Sequence, residues 1–418
     1  MFTTSVTSEI ESSYAWIRLA IAVLLSTIGG VGMWSVIVAL PAVQAAFGVT
    51  RAEASLPYTF AMIGFGLGGV FIGRLVDRFG IVWPIVGATI VLGLGYIVAS
   101  RAPNLWFFAV AHGALIGVGS AATFAPLIAD ISQWFTRHRG IAVAICACGN
   151  YIAGASWPPV VQHYITTVGW RETHFGIGIF CIVAMLPLAL ALRRTSPLQT
   201  QTGADDNAAG TQTKLGLSPN ALQGVLALAG VGCCVAMSMP QVHIVAYCGD
   251  LGYGVSRGAQ MLSLMLGFGI VSRIGSGWIA DRLGGLATLF LGSALQCVAL
   301  LLYLGFHGLS SLYVISALFG LFQGGIVPCY AIIVREYLPA NEAGTRVGIA
   351  MMATLAGMAL GGWLSGEIFD LTGSYYAAFG NGVLWNVLNA SIVLWLLLRR
   401  RSLRLGYLMT ARVSARNS

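Results

Sequence analysis

Twelve apolar runs, each long enough to cross the hydrocarbon core of a bilayer, constrain this chain more than any motif in it. They fall near residues 16–40, 53–76, 81–100, 104–132, 140–165 and 172–193. A second set falls near 219–247, 257–280, 286–306, 309–334, 344–369 and 375–398. A spanning helix uses about 20 apolar residues, and in lipid only helices and closed barrels satisfy every backbone polar group. Charged residues are 9% of the 418, against about 25% in a soluble domain, too few to clothe a soluble surface. The expected architecture is therefore an all-α integral membrane protein with twelve transmembrane helices in two six-helix bundles. The first bundle covers residues 1–193 and the second 219–400. A polar stretch at 194–218, rich in Thr, Gln, Ala and Asp, reads as a cytoplasmic linker, and 401–418 as a short cytoplasmic tail.

The net charge of +8 does not mark a nucleic-acid partner, because the basic residues lie in short connections rather than in one patch. With the N-terminus placed inside, the even connections and both tails hold most of them, from Arg18, Arg74 and Arg78 to the Arg399–Arg416 cluster. The odd connections hold Arg51, Arg101, Arg171 and Arg257. An excess of about four to one predicts that both termini face the cytoplasm, and the short loops point to a bacterial cell inner membrane. The start, Met1 to Ser13, carries Glu9 and Glu11 rather than a positive segment, so no cleavable signal peptide is expected. The eight cysteines show no metal spacing, since Cys146 and Cys148 are one residue apart and Cys233 and Cys234 adjacent. Fifty-four glycines fit helices that approach closely in lipid. No nucleophile–base pair, metal cluster or phosphate loop suggests an enzyme, and no cofactor is expected.

The two sets repeat one octapeptide. Gly73-Arg-Leu-Val-Asp77-Arg78-Phe-Gly80 follows the second run and Gly277-Trp-Ile-Ala-Asp281-Arg282-Leu-Gly284 follows the eighth, both reading G-x-x-x-D-R-x-G. Parallel six-helix repeats of this kind mark a transporter with its site between the halves.

The octapeptide resembles the signature of the major facilitator superfamily, which occurs after the second helix and again in the second half, so the resemblance covers the whole chain. It implies the major facilitator fold. It also implies that Asp77, Arg78, Asp281 and Arg282 are gating residues bracing the cytoplasmic helix ends when the outer side is open. The basic residues that often follow the last glycine are missing here (Ile81-Val82-Trp83; Gly285-Leu286), which makes that brace light. Finer stretches are similar to the monocarboxylate transporters and their oxalate–formate relatives. They are Gln133-Trp134-Phe135-Thr136-Arg137-His138-Arg139-Gly140, Pro158-Pro159, Gly169-Trp170-Arg171, Pro240-Gln241-Val242-His243 and Ser272-Arg273-Ile274-Gly275-Ser276-Gly277. The signature of drug–proton antiporters, a G-P-x-x-G-G sequence in the fifth helix, is absent; Gly149, Gly154 and Pro158-Pro159 occupy that helix instead.

Arg273 is the sharpest chemical signal. It lies well inside the eighth run, where a charge costs about 2.5–3.5 kcal/mol on insertion scales and must face a partner or a wet cavity. Its planar fork matches a carboxylate, and the resemblance implies that this Arg binds the substrate carboxylate. The alternative is a permanent ion pair with Glu367 or Asp130. Animal monocarboxylate transporters carry an Asp four residues earlier, where this chain has Gly269. Their Lys after a Pro in the first helix corresponds to Ala42, and the second cation of oxalate exchangers to Thr354. One buried cation favours a monoanion, because a dianion leaves a charge unpaired in low dielectric.

His243 is a second anion donor or proton site, or a structural hydrogen bonder. Tyr330, two turns from Gln323, completes the carboxylate site or simply packs. Trp34, Thr123 and Phe124 form an opposing wall or pack, and Asn150 contacts substrate or joins helices. The chain thus reads as a monomeric carrier of a small organic monocarboxylate, with the lipid bilayer as environment and protons as candidate co-substrate. An oxalate-type dicarboxylate or formate exchanger and a transporter-derived nutrient sensor are the alternatives.

Overall fold

A computed structural model describes residues 11–194, 215–339 and 342–414, and no strand occurs among them. Twelve helices are long and apolar enough to cross a membrane. In the first half they are α1 (Ser13–Phe47), α2 (Arg51–Phe79), α3 (Val82–Ser100), α4 (Leu105–Ser132), α5 (Gly140–Val168) and α6 (Trp170–Ala191). In the second they are α7 (Pro219–Asp250), α8 (Val255–Leu283), α9 (Gly285–Gly305), α10 (Leu309–Tyr337), α11 (Thr345–Thr372) and α12 (Tyr375–Leu403). Residues 195–214 of the expected linker lie outside the described residues. The final helix continues past the expected tail boundary to Ser414.

Local chemistry explains the helix ends. Ser12, Asn104 and Ser218 cap α1, α4 and α7 through side-chain oxygens that accept a backbone N–H. Thr50 and Glu53 form a reciprocal capping box at the start of α2. The terminal glycines of the repeated octapeptide, Gly80 and Gly284, adopt φ of +74° and +85° with extended ψ. Only glycine takes that conformation at low cost, so the final letter of the motif is a backbone requirement.

The halves pack alike. In the first, α5 lies on α1, α4 on α2 and α6 on α3; in the second, α11 lies on α7, α10 on α8 and α12 on α9. Between halves, α5 meets α8, α2 meets α11 and α1 meets α7. Gly64 packs on the backbone of Gly113 and Gly320 on that of Met265, the same α2–α4 and α8–α10 approach in both halves, with no room for a Cβ.

Three of the spanning helices are interrupted near their middles. The first bends at Gly30, between Ser13–Gly29 and Val31–Phe47. The run read as one helix over 104–132 contains a π-helical turn, His112–Gly117, and a break before Ala125–Ser132. Pro126 opens that last piece and lacks the N–H that would bond Ala122. Its counterpart α10 breaks at Gly324 and Gly325, between Leu309–Gln323 and Ile326–Tyr337. There Pro328 has no N–H for the carbonyl of Gly324, which is left available to a side chain. Broken helices of this kind expose backbone groups where a transport site needs them.

The seam between the halves is shut at one end. Arg51 Nη2 donates to Asp250 at 3.1 Å, and the Asp370 carboxylate accepts the main-chain N–H of Arg51 and Ala52 at 2.9 and 2.7 Å. Thr59 donates to the carbonyl of Ala359 at 3.0 Å further in. At the other end Asp77, Arg78, Asp281 and Arg282 are all exposed. The Arg78 and Arg282 guanidiniums rest on Phe79 and Trp278 of their own helices rather than on the opposite half. Among the described residues these four form no ion pair across the halves.

Candidate functional site

Arg273 stands on α8 where α8 crosses α5, half-buried. Its Nη1 donates to the carbonyl of Ala147 at 3.0 Å. Its Nε reaches the carbonyl of Gly324 at 3.4 Å, the group that Pro328 leaves unpaired. The guanidinium carbon lies 4.3 Å from the centroid of the Tyr151 ring. Two carbonyls and an aromatic face orient the cation without neutralising it. Neither acid considered as a permanent partner pairs with it. Asp130 is engaged with Arg18 at 2.7 and 2.8 Å, and Glu367 forms no ion pair with Arg273.

The Arg18 pair corrects the sequence reading in one respect. Arg18, counted there among the charges of the tail and connections, is 1% exposed. Its guanidinium also donates to the carbonyls of Leu192 and Arg194 at 3.0 and 3.1 Å and lies over Trp134. It fastens α1 to α4 and to the end of α6.

The opposing wall is partly assembled. Trp34 Nε1 donates to both the carbonyl and the side-chain oxygen of Asn150 at 3.2 Å. Asn150 adjoins Tyr151 on α5, so Trp34, Asn150, Tyr151 and Arg273 occupy one level where α1, α5 and α8 meet. Thr123 lies at the α4 break and packs against Gly29 beside the α1 bend, its hydroxyl donating to Ser120 at 2.8 Å. The Phe124 ring stands 6.3 Å from that of Phe65 on α2.

Two candidates sit elsewhere. His243 is buried at the closed end, where its Nε2 donates to the carbonyl of Gly362 at 2.8 Å and its ring lies 5.8 Å from Tyr375. Tyr330 is buried inside the second bundle and donates to Asn389 Oδ1 at 3.0 Å. Neither contacts Arg273 in this state.

Tyr151 was not singled out by sequence reasoning, although a clue was present. A Cβ on Gly269 would run into Cε1 and Cδ1 of Tyr151. The glycine found where an acid might stand is thus the space that the Tyr151 ring fills against Arg273. The Gly324-Gly325 pair followed by Pro328 was a second legible signal, of a broken helix offering a free carbonyl.

The sequence profile of the Major Facilitator Superfamily matches residues 22–311 and 277–407. This chain belongs to the major facilitator superfamily. As a member it is a multi-pass membrane transport protein and not an enzyme. It is 29% identical over 310 residues to monocarboxylate transporter 13 of Rattus norvegicus, covering 71% of this chain and 70% of that protein. It is 28% identical over 325 residues to monocarboxylate transporter 13 of Bos taurus, covering 74% of each. Among solved structures it resembles a bacterial homologue of the human lysosomal transporter Spinster in an inward-facing, occupied conformation. That match has a TM-score of 0.67 at 14% identity and covers 94% of this chain and 97% of the other, a likeness of fold alone.

Proposed function

We propose that this superfamily member carries a small organic monocarboxylate, of the lactate or pyruvate class, by alternating access, with Arg273 binding the carboxylate. The observation that carries the reading is a permanent cation at the seam, oriented by Ala147, Gly324 and Tyr151 yet given no acidic partner. A charge held in low dielectric without a counter-ion is costly, and a substrate carboxylate supplies one with matching fork geometry. The monocarboxylate transporters among the relatives lend support. Thr354, where a second cation would stand in an oxalate exchanger, donates its hydroxyl to Met351 at 2.7 Å, so no second charge at that position welcomes a dianion.

In this proposal the octapeptide end faces the cytoplasm of a cell inner membrane, the chain acts as a monomer, and Asp77, Arg78, Asp281 and Arg282 brace that end when the opposite one opens. Trp34, Asn150, Thr123 and Phe124 line the passage. His243 and Tyr330 join it only in another state. Coupling is to protons or to a counter-anion.

Uptake of labelled lactate, pyruvate, formate and oxalate into proteoliposomes tests the reading. Saturable monocarboxylate uptake is expected, falling about 10–100-fold in Arg273→Gln, the range for losing charge-assisted hydrogen bonds. An imposed pH gradient separates symport from exchange. No uptake of any acid, or an unaffected Arg273→Gln, overturns it.

A further inference from the structure

We propose that Arg51 is a second carboxylate-binding cation, at the mouth closed in this structure, and that it exchanges Asp250 for the substrate carboxylate when that mouth opens. This rests on the carboxylate-carrier reading above and adds a site to it.

Arg51 was expected to be a connection charge, but it is 7% exposed and lies between the halves. Its partner is poorly matched to it. Only Nη2 reaches Asp250, at 3.2 and 3.1 Å to the two carboxylate oxygens, and the Asp250 side chain is 40% exposed. The acid is thus half in water while the cation is not. Nε and Nη1 of Arg51 are buried and have no hydrogen-bond partner. Asp370 does not serve them here: its two oxygens bond the main-chain N–H groups of Arg51 and Ala52 and make no hydrogen bond to the guanidinium.

The surroundings ask for an acceptor. The guanidinium carbon is 5.1 Å from the Phe369 ring and 6.0 Å from the Tyr375 ring, and the Tyr375 hydroxyl is also buried without a partner. Two nitrogens of a permanent cation, with three N–H bonds between them, and one phenolic O–H seek lone pairs. A carboxylate offers about four such sites and the opposite charge. Asp250, Phe369 and Tyr375, the neighbours of Arg51, also line a cavity of about 370 Å³ with Tyr247, His307 and Tyr376; Arg51 itself stands behind this lining in the closed state. Because α2, α7 and α11 form the seam, separating the halves takes Arg51 away from Asp250 and turns it toward the passage. A substrate entering from that side then meets Arg51 before it reaches Arg273.

The test uses full-length protein in proteoliposomes with labelled pyruvate, comparing wild type, Arg51→Gln, Asp250→Asn and the double variant. Ligand-free melting of each variant reports folding. If Arg51 only latches the mouth, both single variants delete the same ion pair and shift KM alike. If Arg51 binds the substrate, the shifts have opposite sign. Arg51→Gln raises KM about tenfold, as loss of a charge-assisted contact does. Asp250→Asn removes the competitor and lowers KM about threefold, and the double variant behaves as Arg51→Gln. Parallel KM shifts in well-folded variants overturn the second site while leaving the carrier reading intact. A wild type that transports no carboxylate overturns both.

Discussion

Gly269→Asp is expected to lower the proposed monocarboxylate uptake by about 100-fold, although it only places an acid where the resembled animal monocarboxylate transporters carry one. Two effects act together. Any Cβ at this position collides with the Tyr151 ring, and overpacking of this kind costs about 1–3 kcal/mol. The new carboxylate also lies one turn before Arg273 on the same helix face. It becomes the internal partner that Arg273 lacks and competes with substrate for the guanidinium. Gly269→Ala separates the two effects, since it displaces Tyr151 without adding charge, and a loss of about tenfold is expected. Initial uptake rates in proteoliposomes decide it. Wild-type uptake by Gly269→Asp would mean that an unneutralised Arg273 is not what the site depends on.

Arg18→Met alone will destabilise the protein by about 3–5 kcal/mol, the cost of stranding a buried charge. Asp130, with its side chain 10% exposed, would lose two short hydrogen bonds. The carbonyls of Leu192 and Arg194 would lose their donor as well. Arg18→Met combined with Asp130→Leu is expected to recover most of that loss, because replacing both members of a buried pair by apolar groups is often neutral or better. Reversible unfolding in mixed micelles, run as a double-mutant cycle, measures the coupling. A double variant as unstable as the single one would show that the ties to Leu192 and Arg194, rather than the ion pair, carry the stability.

Much of this architecture was legible because the bilayer enforces it. A run of apolar residues that cannot be covered by water must become a spanning helix, and the repeated octapeptide aligned the halves. Arg273 was legible for the same reason, as a charge inside an apolar run. The helix interior was less so. The apolar run over 104–132 hides a break, and Pro41, where the first run was expected to end, is absorbed within a helix that continues to Phe47. Hydropathy measures transfer to lipid and is blind to such backbone geometry.

Partner choice was the least legible layer. Arg18 and Arg51 were both read as connection charges, yet one pairs with a residue 112 positions away and the other with one 199 away. His243 and Tyr330 find Gly362 and Asn389, 119 and 59 positions away. Which residue meets which depends on the rotation and register of packed helices, and a single sequence carries little of that. Tyr151 shows the converse, because a missing side chain at Gly269 pointed to it.

The Asp370 carboxylate that covers the start of α2 has a kinetic meaning. In the proposed cycle, opening the closed mouth would strip from that helix end the two charge-assisted hydrogen bonds to Arg51 and Ala52, together worth about 3–6 kcal/mol. Thr50 and Glu53 remain as an intrinsic cap, so the helix itself need not fray while it waits. A difference of about 5.5 kcal/mol takes a two-state population from 1:99 to 99:1. In the proposed cycle the empty carrier is expected to rest with this mouth shut, and opening it, rather than closing it, is the step that the two Asp370 hydrogen bonds oppose.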